Sequence, residues 1–116
     1  VSRQQAERRG RTAETIACWY LRLKGWRILA RRARAPGGEV DIVARRGRIV
    51  AFVEVKARNS AEAAGFALDR HRLRRVAIAA ERLAQRFARD GDSIRIDALF
   101  VVPGRLPRHL QDVWQG

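Results

Sequence analysis

Cysteine occurs once in this 116-residue chain, at Cys18, so no intrachain disulfide can form and a Cys-rich zinc site is excluded. Aromatic residues are scarce at 7%, and few lie among the basic ones, which disfavours recognition of single strands by base stacking. No apolar run approaches the roughly 18–20 residues that a spanning helix needs, and no signal-peptide pattern is seen, so a cytoplasmic protein with no membrane partner is expected. Acidic residues are also few: 12 Asp and Glu face 25 Lys and Arg, a formal charge of +13. Lysine is nearly absent, because of those 25 cations only Lys24 and Lys56 are not arginine. Such an excess on one small domain points to a polyanionic partner, nucleic acid before a membrane surface.

What is present suffices for a single domain. With 47% hydrophobic residues the chain can bury a core, so disorder throughout is excluded. Residues 1–11 are polar and basic and read as a loose arm. From Ala13 the positions Ala13, Ile16, Ala17, Tyr20 and Leu21 form one helical face, with Thr12 as a local cap and Gly25 as the stop. A short strand over Trp26–Ala30 precedes the cluster Arg31, Arg32 and Arg34, and Ala35-Pro36-Gly37-Gly38 is a turn. Strands follow over Glu39–Arg45 and Arg48–Lys56 about an Arg46-Gly47 turn. Residues 57–68 read as a mobile loop. A long helix starts at the N-cap Asp69, with Leu73, Val76, Ala77, Ala80, Leu83, Ala84 and Phe87 on one stripe and arginines including Arg74 and Arg75 opposite. A last strand spans Ile94–Val102, and residues 103–116 read as an irregular tail. The order αβββαβ describes an α/β domain with helices flanking one sheet.

Four charged residues interrupt these strands: Glu39, Asp41, Glu54 and Lys56. A buried carboxylate costs several kcal/mol unless it is paired, hydrogen-bonded or metal-bound. With a two-residue Arg46-Gly47 turn, Glu39 falls opposite Glu54 and Asp41 opposite Phe52, so all four groups share one face. Opposed carboxylates call for a cation between them, and hard oxygen donors favour Mg²⁺ or Mn²⁺ over zinc. A structural salt bridge with Lys56 and nearby arginines is the competing reading.

Asp41 followed thirteen residues later by Glu54-Val55-Lys56 resembles the catalytic pattern of the PD-(D/E)xK nuclease superfamily. Gly38-Glu39-Val40-Asp41-Ile42-Val43 and Phe52-Val53-Glu54-Val55-Lys56-Ala57-Arg58 resemble the uncharacterised bacterial YraN-type family, as do Glu14, Tyr20-Leu21 and Gly25-Trp26-Arg27-Ile28-Leu29. The likeness spans about residues 10–102 and extends to archaeal Holliday-junction resolvases, which carry a comparable helix glutamate. It implies a restriction-endonuclease-like αβββαβ fold with a mixed sheet. It also implies a Mg²⁺-dependent endonuclease acting on DNA, branched or otherwise structured; a non-catalytic nucleic-acid-binding module on the same scaffold is the alternative.

Under that resemblance Asp41 and Glu54 ligate the ion with the Val55 carbonyl, and Lys56 serves the attacking water. Glu39 is either a further ligand or a rim salt bridge, and Glu14 either a site contact or an ordinary helix-surface residue. Relatives commonly carry a lysine early in the second long helix, where this chain has Asp69-Arg70-His71-Arg72; His71 or Arg72 is the substitute phosphate contact. Arg31, Arg32, Arg34, Arg58, Arg74 and Arg75 are the expected phosphate-tracking surface. Asp97 is expected to pair with an arginine. Leu110, Val113 and Trp114 either join two copies or pack on the sheet.

Overall fold

The computed structural model describes residues 3–59 and 68–116. In chain order it has α1 (Arg3–Leu23), β1 (Arg27–Ala35), β2 (Gly38–Arg46), β3 (Ile49–Ala57), α2 (Arg70–Phe87), β4 (Ser93–Val101) and β5 (Arg108–Leu110). The strands form one five-stranded sheet in the order β1-β2-β3-β4-β5. Only the β3–β4 pair, joined through α2, is parallel. The α/β class with a mixed sheet between two helices is the architecture expected from the sequence.

Each helix covers one face of the sheet. Ala13, Ala17, Cys18 and Leu21 of α1 are buried against Ile42, Val53 and Leu99. Leu73, Val76, Ala79 and Leu83 of α2 are buried against Val40, Val43, Val50 and Phe52. Strand β3 is therefore covered on both sides, which its unbroken apolar run demands. Full burial of Phe52 and Val53, both at 0% exposure, contributes about 1.5–3 kcal/mol each.

Helix α1 stops where Gly25 takes φ +89°. There the Trp26 N–H reaches the Leu21 carbonyl at 2.9 Å and the Gly25 N–H reaches that of Arg22 at 3.0 Å, a Schellman closure with Trp26 against Leu21. Asp69 caps α2, accepting from the His71 and Arg72 N–H groups at 3.0 and 3.3 Å. Those two bonds, with the Arg72 bond the stronger influence, hold its carboxyl below the ordinary range. Gly38 lets the start of β2 touch α2: a Cβ there would lie 2.1 Å from the Arg75 carbonyl oxygen.

Four boundaries differ from the sequence reading. The basic arm is helical, since α1 begins at Arg3; Thr12 lies inside it and donates its hydroxyl to the Arg8 carbonyl at 2.9 Å instead of capping. The first strand runs on through the arginine cluster to Ala35. The β2–β3 turn is Gly47-Arg48, because Arg46 pairs with Ile49. The tail carries β5, and the Val113 N–H bonds the Ile96 carbonyl at 2.8 Å. Of the loop expected over 57–68, Ala57 ends β3 and residues 60–67 lie outside the described residues.

Candidate metal and nucleic-acid site

The site forms where the β2–β3 ladder opens. Its pairing runs from Arg46–Ile49 to Ile42–Val53 and goes no further, so Asp41 lies just past the last pair. On the other side of β2, pairing with β1 passes from Arg31–Ile42 directly to Ala33–Val40. Side-chain alternation slips there: Val40 and Val43 both face α2, and so do Ala30 and Ala33. Opposite Asp41 stands Arg32, held at φ +51°. This paired irregularity releases Asp41 from a regular strand position. Its carboxylate takes the Val55 N–H at 2.7 Å, standing in for a ladder bond.

That placement sets Asp41 close enough to Glu54 for the two charges to repel. Burial pushes the Asp41 carboxyl up to about 7, with repulsion from Glu54 next in importance and the Val55 bond working against both. Glu54 is 3% exposed. Its Oε1 receives the Arg72 guanidinium at 3.0 Å and lies 3.6 Å from the Lys56 ammonium. Glu54 is in turn the main reason the Arg72 guanidinium is held above its ordinary value. The site thus contains two neighbouring carboxyl groups, one lysine beside Glu54, and one arginine arriving on Glu54 from α2.

Lys56 lies 3.6 Å from Glu54, and Asp41 bonds the N–H of Val55 between them, through a register other than the expected one. The turn lies one residue later than expected, which carries the ladder toward Asp41 opposite Glu54 in place of Glu39 opposite Glu54. Glu39 does not join the cluster. It sits across β1 from Arg34, ion-paired at 3.7 Å with its side chain 44% exposed, the rim salt bridge. Glu14 on α1 is oriented toward the site: its charge acts on Asp41, and Arg32 Nε holds it at 2.9 Å. Arg31 reaches both Glu14 at 3.8 Å and the Thr15 hydroxyl at 3.3 Å. Val55 enters through its N–H. Arg72, expected on phosphate, instead sits on Glu54.

Among the described residues no group of three or more His, Cys, Asp and Glu side chains gathers to hold a metal ion. Two carboxylates beside a backbone strand do meet the modest demand of Mg²⁺, which keeps several waters and completes its shell from substrate phosphate. Arg58 closes the end of β3, its N–H on the Val101 carbonyl at 3.0 Å and its guanidinium over the Phe100 ring. Arg74 and Arg75 are exposed on α2, Arg75 beside Arg34 and Glu39. Val113 and Trp114 pack on the α2 side of the core, which answers part of what the tail does.

A second buried acid lies outside this cluster. Asp97 on β4 is 0% exposed. Arg95 grips it twice, at 2.9 and 3.0 Å, His109 Nε2 donates at 2.7 Å, and the Asp112 N–H donates at 2.9 Å. Burial works to raise its carboxyl, but the bonds from His109, Arg95 and Asp112 outweigh it and hold the group low. The arginine partner matches expectation. His109 was not foreseeable, because nothing in the sequence pairs β5 with β4.

Among the described residues no helix is long and apolar enough to cross a membrane. The model of the uncharacterised protein family UPF0102 matches residues 13–101. The chain is 61% identical over 115 residues to a UPF0102 protein of Sphingopyxis alaskensis, covering 99% of each. A UPF0102 protein of Rhizorhabdus wittichii is 54% identical over 114 residues, 98% of this chain and 97% of its own. One from Erythrobacter litoralis is 50% identical over 115 residues, 99% of each.

Proposed function

The chain belongs to the UPF0102 family, the YraN-type family that its motifs resemble, and we propose that it is a Mg²⁺- or Mn²⁺-dependent endonuclease of the PD-(D/E)xK type acting on DNA, branched or structured DNA included. One observation carries the reading. Asp41, in the stretch of β2 beyond its last pair with β3, turns its carboxylate to the Val55 N–H beside Glu54, and burial with mutual repulsion holds that carboxyl up to about 7. A carboxyl pair so placed gains from a divalent cation what it otherwise gains from a proton.

Asp41 and Glu54 would hold the ion, with the Val55 carbonyl as a further oxygen. When bound, the ion supplies a Lewis acid for the scissile phosphate and a more acidic water. Lys56, whose ammonium lies 3.6 Å from Glu54, orients that water and stabilises charge on the phosphate. Glu14 keeps Arg32 and Arg31 at the mouth. Arg34, Arg58, Arg74 and Arg75 track the phosphate backbone, and Arg72, with 47% of its side chain exposed, would be free to bind phosphate were Glu54 holding an ion. A cytoplasmic location and action as a homodimer, which would cut two strands symmetrically, belong to the same reading.

A second reading has a specific observation in its favour. Arg72 and Lys56 already neutralise Glu54, as they would in a scaffold that binds nucleic acid without cutting it. Linear, flapped and four-way DNA substrates, with RNA counterparts, incubated with Mn²⁺ or Mg²⁺ separate the two. The nuclease reading expects cleavage that disappears in Asp41→Ala, Glu54→Ala and Lys56→Ala. Salt-dependent binding without cleavage of any substrate supports the second reading, and cleavage unchanged in all three variants removes the site assignment.

A further inference from the structure

Between α1 and the ends of β3 and β4 lies a groove of about 500 Å³, within the range of small-ligand sites. Its floor is apolar: Ala13 and Ile16 of α1 face Val101, Val102 and Pro103. Arg8, Arg58 and Arg105 ring it, and among the described residues no carboxylate lines it. Arg105 is presented by a rigid turn. Pro103 and Gly104 occupy its centre, Gly104 takes φ +76°, and the Arg105 N–H returns to the Val102 carbonyl at 3.2 Å, the pattern of a type II turn. Ile16 stays 42% exposed above this floor. The groove combines a surface that accepts a flat apolar body with three cations that accept an anion.

It opens at the end of β3 that carries Lys56, since Ala57, the last residue of that strand, and Arg58 after it both line the groove. Two residues of extended chain, about 7 Å, separate Lys56 from Arg58. On α1, Ala13 in the groove precedes Glu14, which holds Arg31 and Arg32. A strand with a phosphate at Asp41 and Glu54 that followed β3 toward Arg58 would bring its next nucleotides to the groove.

We infer that this groove holds an unpaired nucleotide of the DNA substrate, its base on Ile16, Val101 and Val102 and its phosphate on Arg58 and Arg105. The inference rests on the nuclease reading for the position of the strand, but the groove's own chemistry sets what fills it. A blunt duplex cannot supply such a base. A flap, a junction or an overhang can, so the groove selects structured DNA.

Anisotropy of labelled duplexes binding the full chain in EDTA tests this without cleavage. The probes are a blunt duplex, the same duplex with a two-nucleotide 3′ overhang, and the overhang made abasic. The overhang should bind at least fivefold tighter than the blunt and abasic forms. Arg105→Ala should abolish that preference and flatten the overhang's salt slope by about 0.7, the value for one phosphate contact on a single strand. Ile16→Glu should abolish the preference as well. Equal affinity for blunt and overhang, an abasic overhang bound as tightly as a natural one, or saturable laurate binding that displaces no overhang would each overturn the inference. An overhang preference without cleavage under any metal leaves the groove standing and removes the nuclease reading. Cleavage without the preference does the reverse.

Discussion

Replacing Asp41 by asparagine should make the protein more stable, by a margin that grows as pH rises from about 4 to about 7 and is constant above. In the unfolded chain Asp41 ionises near 3.8, and in the folded chain near 7. Between those values the folded chain keeps a proton that the unfolded chain releases, so stability falls as pH rises through the window and levels off above it. A shift of about three units corresponds to at most about 4 kcal/mol. Glu54 shares the titration and the neighbouring cations relax, so the expected effect is about half of that, about 2 kcal/mol. Asparagine cannot ionise, can still accept the Val55 N–H, and offers its amide N–H to Glu54 in place of a repelling charge. Urea unfolding in EDTA should place the midpoint of Asp41→Asn about 1 M above that of the native chain at pH 8, with an unchanged slope, about a third of that distance above it at pH 5, and level with it only below about pH 4. Equal or lower stability of the variant at pH 8 would refute the strained carboxyl pair.

Two other outcomes probe the frame around the site. Gly38→Ala places a methyl group 2.1 Å from the Arg75 carbonyl oxygen and must push α2 off the sheet, so it should cost about 3 kcal/mol, read by thermal or urea unfolding. Asp97→Ala strands Arg95 and His109 and frees β5, a loss of about 3 kcal/mol. Limited proteolysis should then cut at Arg105 or Arg108 well before the core is attacked; a tail as resistant as the native one would contradict the anchoring role of Asp97.

The element order was legible because each signal was local and strong. Examples are the stripe from Leu73 to Leu83, the cap at Asp69, the stop at Gly25 and the two-sided apolar run from Val50 to Val53. The convergence of Asp41, Glu54 and Lys56 was legible from their spacing. What escaped depended on geometry beyond neighbouring residues. Gly47 takes φ +60° as the first residue of its turn, the position a type II′ hairpin gives to glycine, while the sequence reading made it the second. That shift left Glu39 at the rim. The slip in alternation at Arg32 and Asp41 carries no composition signal, since an arginine at φ +51° is chosen by its grip on Glu14 and not by its own preference. The arm before Thr12 looked unstructured because arginines obscure periodicity, and the Asp97–His109 pair needed β5 to be known first.

Calorimetric titration of Mn²⁺ into the metal-free protein at pH 8 addresses the pair of carboxyl groups most directly, because it needs neither substrate nor turnover. One ion should bind per chain in the native protein, releasing protons below pH 7, and binding should vanish in both Asp41→Asn and Glu54→Gln. No saturable uptake by the native chain, or uptake undiminished in the two variants, would contradict the account.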